Sequence, residues 1–100
     1  MSYVSSVQSL WAYVIIISDV PTQEFTATID QHSAEVANWM SVLPNTIFVV
    51  SPLSARDLGA FLRRTFPGRL SRFLILDADT DRAGWLPKNA WEFLAHPKPA

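Results

Sequence analysis

Apolar and polar positions divide the chain into short segments of clear character. Val14, Ile15, Ile16 and Ile17 form a β-branched run bounded by Asp19 and Pro21. The run is too short for a helix and lacks water-facing alternation, so it predicts a strand at about 12–18, buried on both faces and central in a sheet. From Gln23 to Ala37, Phe25, Ile29, Val36 and Ala37 recur at helical spacing behind Pro21 and Thr22, a pair able to open a helix. Thr22, Thr26 and Thr28 oppose that helix, because β-branched side chains lose rotamer freedom in it. Two apolar runs then flank Pro44-Asn45, a turn pair, which predicts a hairpin with strands near 38–43 and 46–51. The rival reading makes Ser33–Leu43 one helix capped by Ser33, within a three-stranded parallel sheet.

The second helix is marked more strongly. Ser54 and Asp57 make an S-x-x-D cap, and Leu58, Phe61, Leu62 and Phe66 fall on one face, with Arg56, Arg63 and Arg64 off that stripe. Pro67-Gly68 stops it. Gly59 inside it costs about 1 kcal/mol relative to alanine, which close packing would explain. A fourth strand is expected over Ser71–Asp77 with Phe73, Leu74, Ile75 and Leu76 buried, ended by the acidic turn DADTD and Gly84. The segment NAWEFLA predicts a short helix starting near Asn89 and packing through Trp91 and Leu94. Residues 1–10 read as a loose arm and 96–100 as a frayed tail.

The order is therefore β-α-β-β-α-β plus a small appended helix. This is an α+β, ferredoxin-like sandwich: a four-stranded antiparallel sheet with two helices on one face. Its central strands are the first and third, the two richest β-branched runs.

Composition narrows the class. One hundred residues with 49% hydrophobic content suit a single globular domain, 1–100. With no cysteine, neither disulfides nor thiolate metal sites are available. The start lacks a basic signal-peptide region, and its apolar run falls short of the ~18–20 residues that span a bilayer, so a soluble, cytoplasmic protein is expected. The net charge of −1 conceals an asymmetry: residues 1–55 contain no Lys or Arg, whereas Arg56, Arg63, Arg64, Arg69 and Arg72 gather in 56–72. They form either a solvated face or a patch for phosphate and other acidic partners.

Candidate chemistry is sparse. Asp19, where a central strand meets solvent, is placed to bind a ligand or metal, or to cap the turn; Glu24 and Asp30 are acidic residues that could assist it. Asp77, Asp79 and Asp81 fail as a calcium loop, since Arg82 stands where glycine is needed and Lys88 where glutamate is needed. They also fail as a phosphatase DxDxT motif, whose fifth position is Asp81 here. His32 and His96 are isolated, which argues against zinc. Glycines at 59, 68 and 84 make no phosphate loop. Trp11, Trp39, Trp85 and Trp91 exceed what a small core needs, and some are expected at a dimer interface.

The stretch NWMSVLPNTIFVVS, the capped helix after it, and then FLILDAD and AGWL resemble the SinR-like proteins of bacteria. These stand with the small CRISPR-associated spacer-acquisition subunit, VapD and the GhoS-type antitoxin nuclease. The resemblance covers about residues 12–87. It implies a ferredoxin-like homodimer, in which some members are Mg²⁺- or Mn²⁺-dependent nucleases. In those, the aspartate ending the first strand of each subunit binds the cation at the dimer two-fold, and Asp19 matches that position. The family's tyrosine before this aspartate is Ser18 here, and the basic residues at the start of the first helix are missing. The expectation is a dimeric interaction or regulatory protein without catalysis. The alternative is an endonuclease acting on RNA or DNA, with Asp19 as metal ligand and catalytic group and with Arg56, Arg63, Arg64, Arg69 and Arg72 on phosphates.

Overall fold

In the computed structural model, which describes residues 9–79 and 81–100, the chain runs β1 (Trp11–Ile17), α1 (Thr22–Ile29), β2 (Asn38–Leu43), β3 (Thr46–Ser51), α2 (Ala55–Thr65), β4 (Phe73–Asp77) and α3 (Lys88–Ala95). One four-stranded sheet is built in the order β2-β3-β1-β4, and every neighbouring pair is antiparallel. This is the ferredoxin-like arrangement, with the β-branched strands β1 and β3 at the centre. The predicted loose arm lies mostly in residues 1–8, outside the described residues.

The hairpin forms as read, and the rival helix over Ser33–Leu43 is absent. Asn45 adopts φ 56°, a left-handed conformation that asparagine tolerates better than most residues. Its carbonyl accepts from Ile17 N at 3.0 Å, so the turn also braces the end of β1. The first helix is shorter than expected and ends at Ile29 rather than Ala37. After Ile29 the bonds tighten to three-residue spacing, Gln31 N to Thr28 O and His32 N to Ile29 O, the usual fraying of a last turn. His32, Ser33 and Ala34 offer no large apolar side chain to hold another turn on the sheet. Thr26 and Thr28 are accommodated by donating their hydroxyls to Gln23 O and Glu24 O.

Period-two alternation sends the two sides of β1 into different cores. Tyr13, Ile15 and Ile17, with Ile47 and Val49, face α1 and α2 and meet Phe25, Ile29, Leu58, Phe61 and Leu62. Phe25 stacks on Phe66 with ring centroids 5.2 Å apart. Ala12 and Phe48 face the other way, toward Ala78, Ala90 and Leu94, with Trp91, Leu86 and Met40 packed around them. The appended helix α3 therefore covers the opposite face of the sheet from α1 and α2.

That cover is incomplete. Ile16 is 41% exposed, Leu74 52% and Leu76 46%, which corrects the expectation that β1 and β4 are buried on both faces. The register pairs Ile16 with Leu74 and Val14 with Leu76, so these side chains are neighbours on the α3 side. Strand β4 also begins two residues later than expected, at Phe73. Residues 96–100, expected to fray, are instead tied to the start of β2: Ala100 N donates to Ala37 O at 2.9 Å and Asn38 Nδ2 to Lys98 O at 3.5 Å.

Buried polar atoms are matched. Ser51, fully buried, donates to Glu35 O at 2.6 Å and accepts from Leu53 N at 3.0 Å. It thereby joins the end of β3 to two loops. Among the described residues no buried side-chain nitrogen or oxygen lacks a partner, as native interiors require.

Candidate functional site

Asp19 stands just beyond the end of β1, exposed, on the short link whose Val20 is buried and whose Pro21 opens α1. Its carboxylate is already engaged on both oxygens. Ser18 Oγ donates to Oδ1 at 2.5 Å, while Ser71 donates to Oδ2 through its main-chain N–H at 3.2 Å and through its hydroxyl. The Ser18 hydrogen bond, followed by those from Ser71, holds the Asp19 carboxyl below the ordinary carboxylate range, and the Arg72 guanidinium acts in the same direction. Asp19 thus links β1 to the loop before β4 and stays ionised.

The other acidic residues near it in sequence are directed elsewhere. Glu24 pairs with Arg69, and the contact lowers the carboxyl and raises the guanidinium. Both groups are solvent-exposed, so the pair adds little to stability. Asp30 accepts from Trp39 Nε1 at 2.9 Å. His32 lies edge-on to Phe61 with centroids 5.3 Å apart. Among the described residues no group of three or more His, Asp or Glu side chains gathers as metal ligands would.

The five arginines do not form one patch. Arg69 and Arg72 flank Ser71 in the loop beside Asp19. Arg56 and Arg63 project from α2 along a groove of about 460 Å³ between that helix and β4, whose walls include Gly59, Phe73 and Ile75. Arg64 lies outside that groove, beside Ala60 and Arg63. In the acidic turn, Asp79 N donates to Asp77 Oδ1 at 2.8 Å, the local pairing that makes aspartate a turn residue; Thr80 lies outside the described residues. Trp39 and Trp91 pack against the two cores. Trp11 is 44% exposed and Trp85 99%.

Comparison with protein-family models, with characterised proteins and with solved structures finds no match to this chain. The features that set it apart are therefore geometric. They are an apolar strip on the sheet that α3 leaves open, and a groove along α2 whose arginines have no acidic partner among the described residues. Neither was singled out from sequence. The strip is concealed because FLIL is apolar on both faces of the strand. Gly59, where close packing is expected, instead sits in the wall of the groove: a Cβ there would lie 3.7 Å from Ile75 Cδ1 and Phe73 Cε2, ordinary contact distance.

Proposed function

We propose that the chain is a homodimeric interaction or regulatory protein of the SinR-like kind, without catalysis, and that it pairs through the open strip of its sheet. The observation that carries this reading is the cluster Ile16, Leu74 and Leu76, large apolar side chains side by side and exposed on a sheet face half covered by α3. Contiguous apolar surface of this kind marks an interaction site. A second copy suits it, because the strip is uncharged and hence self-complementary, as an isologous contact requires. Flanking charge supports the same partner. Arg72 precedes β4 while Asp79 and Asp81 follow it, so two β4 strands brought together antiparallel across a two-fold set the basic end of each against the acidic end of the other.

The arrangement around Asp19 supports the non-catalytic half. Both carboxylate oxygens already accept from Ser18 and Ser71, which gives Asp19 a structural role in tying β1 to the loop before β4. Of the five arginines that would hold a phosphate, Arg56, Arg63 and Arg64 lie along α2, and of the two in the loop beside Asp19, Arg69 is paired with Glu24.

Light scattering at tens of micromolar tests the pairing: the expected mass is twice the 11.2 kDa of one chain. Leu74→Glu, which sets a carboxylate in the contact without disturbing the core, is expected to give the single-chain mass. A wild-type monomer overturns the dimer. Incubation with labelled RNA and duplex DNA in Mg²⁺ or Mn²⁺ tests the chemistry. Cleavage by the wild type that Asp19→Ala abolishes establishes the nuclease instead.

A further inference from the structure

The two outer strands of the sheet are β2 and β4, and β4 pairs only with β1. The register fixes which of its main-chain groups are spent. Ala78 N donates to Ala12 O at 3.0 Å, one step beyond the Tyr13–Asp77 pair. Antiparallel pairs alternate between hydrogen-bonded and non-hydrogen-bonded, so Leu76 and Leu74 bond to β1. The N–H and C=O groups of Phe73 and Ile75 consequently point to the outer edge.

Beside that edge runs the groove against α2. Phe73 and Ile75 form its apolar floor, Gly59 and Ala60 keep its helical wall low, and Arg56 and Arg63 stand at its two ends. Among the described residues neither arginine has a hydrogen-bond or ion-pair partner, the only salt bridge there being Arg69–Glu24. Two unneutralised cations flanking an apolar trough, next to a row of alternating main-chain donors and acceptors, are complementary to one kind of ligand.

We propose that this groove binds an extended peptide segment of the pattern acidic-x-apolar-x-acidic, added to the sheet as a fifth strand on β4. The spacing sets the pattern. Arg56 and Arg63 are two helical turns apart, about 10.5 Å along the axis, and same-face residues four apart on a strand span about 13 Å. Arginine side chains bridge that difference. The apolar residue midway falls over Phe73 and Ile75, opposite Gly59, where a larger wall residue would exclude it. A nucleic-acid strand fits the edge poorly, since its phosphates offer acceptors only and the 2′-hydroxyl of RNA is not spaced to the strand repeat, whereas a peptide returns both a donor and an acceptor to each exposed residue. The inference does not depend on the sheet-face dimer: the groove is built on α2, Phe73 and Ile75, the strip on Ile16 and Leu76, and the two share only Leu74 at the strand edge.

Fluorescence anisotropy of a labelled Thr-Glu-Thr-Val-Thr-Glu-Thr peptide with the full chain tests it. Saturable binding is expected, weakened about tenfold or more by Arg56→Glu or Arg63→Glu. Arg64→Glu, outside the groove, is expected to leave affinity within about twofold. Replacing both glutamates of the peptide by lysine, or N-methylating its central amides, is expected to abolish binding. Circular dichroism of each variant confirms the fold, and an unfolded Arg56 or Arg63 variant is replaced by its alanine counterpart, for which the same direction is expected. The proposal is overturned by absence of saturation up to ~1 mM, by equal binding of the lysine or N-methylated peptides, or by indifference to Arg56 and Arg63. Single-stranded RNA that binds through these arginines where the peptide does not also overturns it, and assigns the groove to nucleic acid.

Discussion

Replacing Gly59 by alanine is expected to stabilise the protein. Glycine in a helix interior costs about 1 kcal/mol relative to alanine, because its backbone loses more freedom on folding. That gain is usually cancelled where a glycine is needed for close approach, and here it is not. The added methyl would stand 3.7 Å from both Ile75 Cδ1 and Phe73 Cε2, in contact without overlap. For a domain of this size, about 1 kcal/mol corresponds to a rise in Tm of about 4–8 °C. Thermal and urea denaturation measure it, and the urea midpoint should rise with the slope unchanged. The same assay has an internal control in Gly68, where φ is +72° with nothing within 4 Å. There alanine loses about 1 kcal/mol through left-handed strain alone. A Gly59→Ala midpoint equal to or below the wild type refutes the argument, because it means the α2–β4 contact cannot accept even a methyl. If stability rises while peptide affinity falls, glycine is retained at this position for the groove at a cost in stability.

Other substitutions probe the framework. Phe25→Ala, which removes a fully buried ring stacked on Phe66, is expected to lose about 3–5 kcal/mol in urea denaturation. Ser51→Ala, which strands Leu53 N–H and Glu35 C=O, is expected to lose about 1–3 kcal/mol by the same measure. Acid unfolding should report Asp19 and Glu24. Both carboxyls are lowered in the fold from ordinary values of 3.8 and 4.5. Their contribution is therefore present above those values and is lost as pH falls through the lower folded ones. Stability against pH should fall less steeply below about pH 3.8 in Asp19→Asn than in the wild type, and identical acid limbs would show that the Ser18 and Ser71 bonds do not form in solution.

Much of the fold can be read from the chain because its signals are local. Pro44-Asn45 between two apolar runs specifies the hairpin, and Ser54 with Asp57 specifies the start of α2. The end of α1 is less legible. Val36 and Ala37 sit at helical spacing from Phe25 and Ile29, yet Val36 joins the core from a loop. The faces of the sheet are harder still. A run such as Phe73–Leu76 is apolar on both sides, so nothing in it says that α3 stops short of Leu74 and Leu76. The candidate site illustrates the remaining gap. Asp19 was conspicuous, but Ser71, which holds it, lies fifty-two positions away. Arg56 and Arg63 became a pair only when α2 was laid along β4.

The two margins of the sheet differ in what they permit. Along β2, the C-terminal tail occupies the start, through Ala100 and Lys98, and the register slips between Met40 and Leu43. Bulges and covering segments discourage strand addition. Along β4, no described segment intervenes. Two copies joined through β4 would leave only their obstructed β2 margins at the ends of the combined sheet. Such a pairing of copies closes at that step rather than propagating, so β4 can remain an open binding edge without seeding a fibre.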